Sequence, residues 1–229
     1  MNFNTGPGSG RSSSTPSGAS GPSSGGTGGE FRLQDPVGSF VRTVVAVVTQ
    51  PVPFFRGIAR QGNFVNPLVF AIICAVISAL LSGILGVIFA PLFAGSQSTG
   101  EAFAGGLGGL VGGLILAPIF TAIGLLIAAG IIHLLVLLVV KPRSTGFEAT
   151  FRIASYTQVT QLVSWIPVIG SIIAGIWAIV LYIFGIREVH NTTTGKAALV
   201  VLIPVAVVLV LFVIVGGALL VSLLGNESF

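Results

Sequence analysis

Apolar residues are gathered into five long runs that short polar gaps separate. The runs cover residues 67–90, 114–140, 151–166, 168–186 and 197–224. The first, second and fifth runs exceed the roughly 20 residues that a helix needs to cross about 30 Å of hydrocarbon. This pattern predicts an all-α fold: a polytopic integral membrane protein with five transmembrane helices.

The third and fourth runs are shorter, and the third is the most polar of the five. It contains Arg152 and two glutamines, which are costly to place in lipid. Residues 151–186 are long enough for two short crossings or for a re-entrant hairpin, because a helix rises about 1.5 Å per residue. A tight turn around Pro167 and Gly170 is expected to join the two halves.

Lysine and arginine lie in alternate gaps between the runs, with Arg152 at the very start of the third run. The first outer gap contains Glu101 as its charged residue, and Glu227 follows the fifth run. Because cytoplasmic loops retain cationic residues, the N-terminus is predicted to be cytoplasmic and the C-terminus outside. The cationic residues are Arg11, Arg32, Arg42, Arg56, Arg60, Lys141, Arg143, Arg152, Arg187 and Lys196.

The chain before the first run divides into two segments. Residues 1–30 are rich in glycine and serine, which predicts a disordered cytoplasmic tail because little apolar surface can be buried. Residues 31–64 have valines mostly at helical spacing, which predicts a juxtamembrane interfacial helix. Pro51 is expected to end that helix, and residues 54–56 to supply aromatic and cationic anchors at headgroup depth. Residues 65–225 then form the five-span membrane domain.

Capping and small residues mark the first two spans. Asn66 and Pro67 predict the start of the first helix, as its N-cap and first helical residue. The glycine-rich residues 105–113 predict either a flexible outer loop or a closely packed extension of the second helix, with Pro118 near the start of that helix. A stripe for close helix packing is formed by Ser78, Ser82 and Gly86.

Composition agrees with a membrane protein. Only 7% of the residues are charged and 53% are hydrophobic, whereas soluble domains have about 25% charged residues. The sequence pI near 10.0 favours attraction to anionic lipids at the cytoplasmic face over nucleic-acid binding, because the cationic residues flank the apolar runs. The single cysteine, Cys74, excludes an intrachain disulfide.

Polar side chains form a strip on the third run. On a helix Thr157, Gln161 and Ser164 share one face, and Gln158 lies on a neighbouring strip. Inside a membrane these groups need protein or water partners. The strip therefore either joins helices by hydrogen bonds or lines a polar pocket or solute path.

Two histidines are further candidates. His133 lies deep in the second run, where both helix packing and a functional role are open. Glu188 and His190 alternate in the last cationic gap, which suggests an exposed charged connector or else acid–base or metal chemistry. The candidate interaction or intramembrane polar residues are Arg152, Tyr156, Gln158, Gln161, His133, Arg187, Glu188 and His190, and the structural candidates are Pro67, Pro167 and Gly170.

The chain resembles the bacterial branch of the Yip (Ypt-interacting protein) family over about residues 45–215. The residues that carry the resemblance are Pro51, Phe54-Phe55-Arg56, Asn66-Pro67-Leu68-Val69-Phe70, Phe147, Thr150-Phe151-Arg152, Tyr156, Ile166-Pro167, Gly170, Trp177, Gly185-Ile186-Arg187-Glu188-Val189-His190, Lys196-Ala197-Ala198 and Pro204. The resemblance implies a cytoplasmic N-terminal region followed by five membrane helices.

Eukaryotic members of that family have an Asp-Leu-Tyr-Gly-Pro motif before the first span and a Gly-Tyr motif in the third. Here residues 64–67 and 155–156 keep only the proline and the tyrosine. The resemblance therefore implies membrane organisation rather than binding of Rab-type GTPases.

Two classes of function follow. The first is a non-enzymatic integral membrane protein that organises the bilayer or scaffolds partners, either other membrane proteins or further copies of itself. The second is a small solute transporter or channel that uses the polar third span. The sequence lacks a nucleophile with its base, a carboxylate pair and a metal-ligand set, so neither an enzyme nor a cofactor is expected. The expected location is a bacterial inner or plasma membrane.

Overall fold

The computed structural model describes residues 29–93, 98–141 and 145–225, and these residues form α-helices and short 3₁₀ segments without any strand. Residues 1–28, most of the predicted tail, lie outside the described residues. The helices are α1 Pro36–Thr49, α2 Pro51–Gly57, α3 Val65–Phe89, α4 Thr99–Val139, α5 Phe147–Thr157, α6 Gln161–Ser164, α7 Ile169–Val189 and α8 Thr194–Gly225.

Four of these helices are long and apolar enough to cross a membrane. They are α3 with the 3₁₀ turn after it, α4, α7 and α8. The third predicted run, residues 151–166, folds as a broken helix instead: α5, a 3₁₀ turn over Gln158–Thr160, and α6. The described part of the chain thus has an all-helical fold with four candidate spans, and the broken helix is not among them.

Successive segments run in opposite directions from one end of the bundle. At that end Arg152, in the middle of the short helix α5, reaches the carbonyl of Asn63, just before α3. At the same end Arg56 pairs with Glu188 near the end of α7, and α8 begins at Thr194. We call it the basic end.

The first part of the broken helix, α5, lies in the middle of the bundle. All residues of α5 from Ala149 to Thr157 are buried, and α3, α4 and α7 pack around them. Lower down, Ser164 in α6 contacts Ser78 in α3. The segment therefore descends beside α3, away from the basic end.

The segment before α3 forms two helices. Asp35 caps α1 by accepting a hydrogen bond from the Gly38 N–H, and α1 ends at Thr49, as the following Pro51 predicts. Pro51 also begins a second helix, α2, because proline fits the first helical turn. Phe54 and Phe55 are 4% and 1% exposed, so the prediction that they are headgroup anchors is wrong. They pack inside the bundle.

The start of α3 differs slightly from the prediction. The helix begins at Val65, one residue before the predicted N-cap Asn66. The Val65 N–H donates a hydrogen bond to the side chain of Asn63. Pro67 is buried in the first turn, where its missing N–H removes no intrahelical hydrogen bond.

Helix α4 is much longer than the second predicted run. It begins at Thr99, behind a capping box formed by Ser98 and Glu101, so the glycine-rich residues 105–113 are helical. Of the two alternatives, the helical extension is found, with close packing at Gly106 and open space beside its other glycines. Pro118 lies inside the helix rather than near its start. A Cβ on Gly106 would lie 3.1 Å from the Val87 Cα, which shows how closely α4 approaches α3.

The turn between α6 and α7 lies at residues 165–168, where the sequence places it. Val168 has a φ of 62°, and Pro167 precedes it. Gly170 is buried at the start of α7, and a Cβ there would lie 2.2 Å from the Val163 carbonyl oxygen. The turn can close this tightly only because residue 170 is a glycine.

Candidate functional site

The most buried charge of the described residues lies near the basic end. Arg152 is 4% exposed, and its Nη1 donates to the Glu30 Oε2 at 2.6 Å. Its Nη2 donates to the Asn63 carbonyl at 2.9 Å and to the Glu148 Oε1 at 3.3 Å. A buried guanidinium is tolerated only with such partners, because removal from water costs several kcal/mol.

Glu30 reaches Arg152 from the segment before α1. Its Oε1 accepts a hydrogen bond from the Ala59 N–H, and its Oε2 accepts one from the Tyr156 hydroxyl at 3.2 Å. The next residue, Phe31, is 1% exposed and packs on Phe70 with ring centroids 6.1 Å apart. Glu30 is thus part of the folded bundle, and its assignment to the disordered tail is wrong.

Two histidines that are distant in sequence meet at Thr150. The Thr150 Oγ1 lies 3.0 Å from the His133 Nδ1 and 3.1 Å from the His190 Nε2. The Thr145 N–H donates to the His190 Nδ1 at 3.2 Å, so that nitrogen must be unprotonated. Neutral His190 then has its proton on Nε2 and donates to Thr150, whose own hydroxyl can donate to His133.

His190 is held in its neutral form. Its ring is completely buried, and burial, reinforced by His133 and Arg60, lowers the pKa of His190 to about 4. The exposed-connector interpretation is therefore wrong for His190. It is a buried link between the segment before α5 and the end of α7.

Glu188 is also covered rather than exposed, since 12% of its side chain is accessible. Its Oε2 accepts from the Arg56 Nε at 2.9 Å, and its Oε1 lies 2.7 Å from the Arg187 Nη2. The Arg187 guanidinium also stacks over the Phe184 ring at 5.2 Å. These contacts tie α2 to the end of α7.

The predicted polar strip bonds mainly within its own segment. The Gln161 Nε2 donates to the Gln158 Oε1 at 3.3 Å, and the Ser164 hydroxyl contacts Gln161. The contact with another helix is made by the Ser164 Oγ and the Ser78 Oγ, 3.1 Å apart. Thr157 donates back to the Ile153 carbonyl.

Six of the predicted candidates thus lie near the basic end: Arg152 with Tyr156 in one cluster, His190 with His133 in another, and Arg187 with Glu188 in a third. Gln158 and Gln161 lie farther down the bundle. Sequence reasoning missed Glu30, Thr145 and Thr150 as partners. Glu30 offered one clue, since an acidic residue followed by a phenylalanine marks the end of the glycine-rich composition.

Among the residues that the structure describes, no group of three or more histidine, cysteine, aspartate or glutamate side chains could hold a metal ion. The polar side chains of each cluster instead form hydrogen bonds with one another. Chemically, the arrangement can hold elements together and present charge at the basic end.

A family model, the Yip1 domain, matches residues 45–215. No curated protein matches the chain, and no solved structure does.

Proposed function

This chain belongs to the Yip1 domain family, and on that premise we propose that it is a non-enzymatic, multi-pass membrane protein that organises the bilayer or scaffolds partners at its basic end. The observation that carries the proposal is the contrast within that end. Its interior is joined by buried ion pairs, whereas exposed cations surround it.

The exposed cations form what we call the cationic rim, Arg56, Arg60, Lys141 and Lys196. All four are exposed, and they lie at helix ends that meet at the basic end. Positive charge next to membrane helices attracts anionic lipid headgroups by roughly 1 kcal/mol per residue. The rim thus favours a docking face on the anionic leaflet, with membrane proteins or further copies of the chain as partners.

The same rim supports a topology in which the basic end is cytoplasmic, since cationic loops stay inside. We propose five crossings, with α5 and α6 descending as the third and α7 returning, so that the C-terminus lies outside. Single cysteines at Ser98 and Asn191, in a Cys74→Ala background, test this. An impermeant maleimide should label position 98 and not position 191 in intact cells; the reverse pattern overturns the topology.

Transport is the second candidate, because Gln158 and Gln161 are polar groups in a central segment. The hydrogen bonds between them and Ser164 occupy these groups with protein partners, which favours the structural role. A solute path would need them to exchange those partners for water or solute.

A cross-linking experiment tests the scaffold. The full chain, the double variant Arg56→Gln with Arg60→Gln, and the control Arg42→Gln are cross-linked in native membranes and purified, and their partners and lipids are identified. The scaffold predicts one recurrent partner, with anionic lipid, for the wild type and the control, and much less of both for the double variant. Equal recovery from all three, together with solute flux in reconstituted vesicles, would favour the transporter.

A further inference from the structure

The segment at residues 29–32, which we call the strap, lies in the bundle in the way that a bound peptide lies in a groove. The Thr43 hydroxyl donates to the Gly29 carbonyl at 2.7 Å. At the other end, the Ser39 Oγ accepts from the Arg32 N–H at 2.9 Å and donates to the Arg32 carbonyl at 3.0 Å. The groove thus contacts main-chain groups, which any extended peptide has.

Between those main-chain contacts the groove receives two side chains. The Glu30 carboxylate enters a seat made by Arg152, the Tyr156 hydroxyl and the Ala59 N–H. The Phe31 ring enters the aromatic cluster beside Phe70. A carboxylate followed directly by an aromatic ring is therefore the pattern that this groove fits.

The carboxylate seat has an unused donor. Arg152 is almost fully buried, yet its Nε has no hydrogen-bond partner. A ligand that brings another oxygen could use that N–H, so the strap does not exhaust what the seat can bind. We propose that this groove is a peptide-recognition site for an acidic residue followed by an aromatic one, occupied in cis by Glu30 and Phe31. The proposal rests on the proposed scaffold function and names the class of partner.

A peptide fits better than a phospholipid headgroup. The Asn63 carbonyl and the Glu148 carboxylate already occupy the Arg152 Nη2, so a ligand anion can use only the remaining N–H groups of the guanidinium. The contacts of Thr43 and Ser39 also recognise a peptide backbone, which a lipid lacks. The partner is therefore an extended protein segment that competes with the strap.

The seat can be tested by chemical rescue in the full chain. Glu30→Ala should lower the midpoint of thermal unfolding, because Arg152 loses its main carboxylate partner. Formate or acetate should restore part of that loss, and chloride at equal ionic strength should not. Glu148→Ala is the matched control: it also removes a carboxylate from Arg152, but outside the seat, so formate should not restore its midpoint. The double variant Glu30→Ala with Arg152→Ala should also show no recovery.

Displacement can be measured without altering the strap's own contacts. A spin label on Leu33→Cys reports the strap, since Leu33 is 43% exposed and Cys74 is completely buried. A peptide with the sequence of residues 29–33 should increase the mobility of that label. Its affinity should exceed that of the same peptide with glutamine for glutamate by at least about tenfold, or roughly 1.4 kcal/mol.

Three results would overturn the proposal. The first is that no carboxylate restores the unfolding midpoint of Glu30→Ala, and the second is that the two peptides change the mobility of the label equally. The third is that phosphatidylglycerol nanodiscs, and not the peptide, restore the midpoint of Glu30→Ala. The last result would assign the seat to a lipid headgroup. None of these outcomes depends on finding a cellular partner, so the scaffold function could survive them.

Discussion

Helices α5 and α8 place their polar and apolar side chains in opposite ways. In α5 the buried residues include Thr150, Arg152, Ser155 and Thr157. In α8 only residues near its start, such as Val200, are buried among those described, and Phe212 is 75% exposed.

The difference follows from the surrounding solvent. Lipid is as apolar as leucine, so α8 loses nothing by exposing its side chains, and a polar group gains only by finding a partner inside the protein. The centre of this bundle is therefore held by hydrogen bonds and ion pairs in addition to packed apolar side chains, and its exposed helix faces are apolar as well. Substitutions in the two helices should have very different costs.

The largest effect is expected for Arg152→Ala. The substitution leaves Glu30 buried without its charged partner, and breaking a buried pair in this way costs about 3–5 kcal/mol. The free energy of unfolding in mixed micelles measures it. The control Lys196→Ala removes an exposed cation from the start of α8 and should change stability by less than about 0.5 kcal/mol. Similar losses for both variants would contradict the view that the centre of the bundle depends on its charges.

The next effect is a pH dependence from the buried histidine link. The pKa of His190 is lowered from 6.5 to about 4, so between these values the unfolded chain binds a proton that the folded chain does not. Stability should therefore be complete above pH 6.5 and fall as the pH drops to 4, by up to about 3 kcal/mol at 1.4 kcal/mol per pKa unit. Unfolding measured across this range should show the slope, and His190→Gln should flatten it. If stability depends on pH equally in the wild type and in His190→Gln, His190 is not the group responsible for the pH dependence.

Glycines in the interior and on the surface offer a matched comparison. A Cβ at Gly185 would lie 2.5 Å from the Ile153 Cγ2, whereas a Cβ at Gly216 in α8 meets nothing within 4 Å. Gly185→Ala should destabilise the fold by about 1–3 kcal/mol through overpacking. Gly216→Ala should stabilise it by up to about 1 kcal/mol, because alanine favours helix. Thermal unfolding of both variants tests the pair, and a stabilised Gly185→Ala would show that α7 packs less closely than we describe.

The smallest effect is expected at the contact between Ser78 and Ser164. An interhelical hydrogen bond in a membrane protein contributes about 0.6 kcal/mol, so a double-mutant cycle with Ser78→Ala and Ser164→Ala should give a coupling of that size. Gln158→Leu removes a bond within one segment and should change stability by about 0.5 kcal/mol or less. If Gln158→Leu has the larger effect, the glutamines face another helix or a solute.

Hydrophobic patterning alone determined the membrane class and the positions of the apolar helices. The long runs of α3 and α8 can be read directly, because lipid requires about 20 consecutive apolar residues. The family was also recognisable, since its residues are spread in order along the chain. The tight turn at Pro167 and Gly170 was predictable from local residue types.

Tertiary structure decided which polar groups meet. Glu30 and Arg152 lie 122 positions apart, and no local rule joins an acidic residue beside a glycine-rich tail to an arginine in a later helix. The sequence likewise did not decide whether residues 105–113 form a loop or extend the helix, because glycines favour a loop unless a neighbouring helix packs against them. Partners that depend on the approach of distant segments are set by packing, whereas apolar length is a property of each segment by itself.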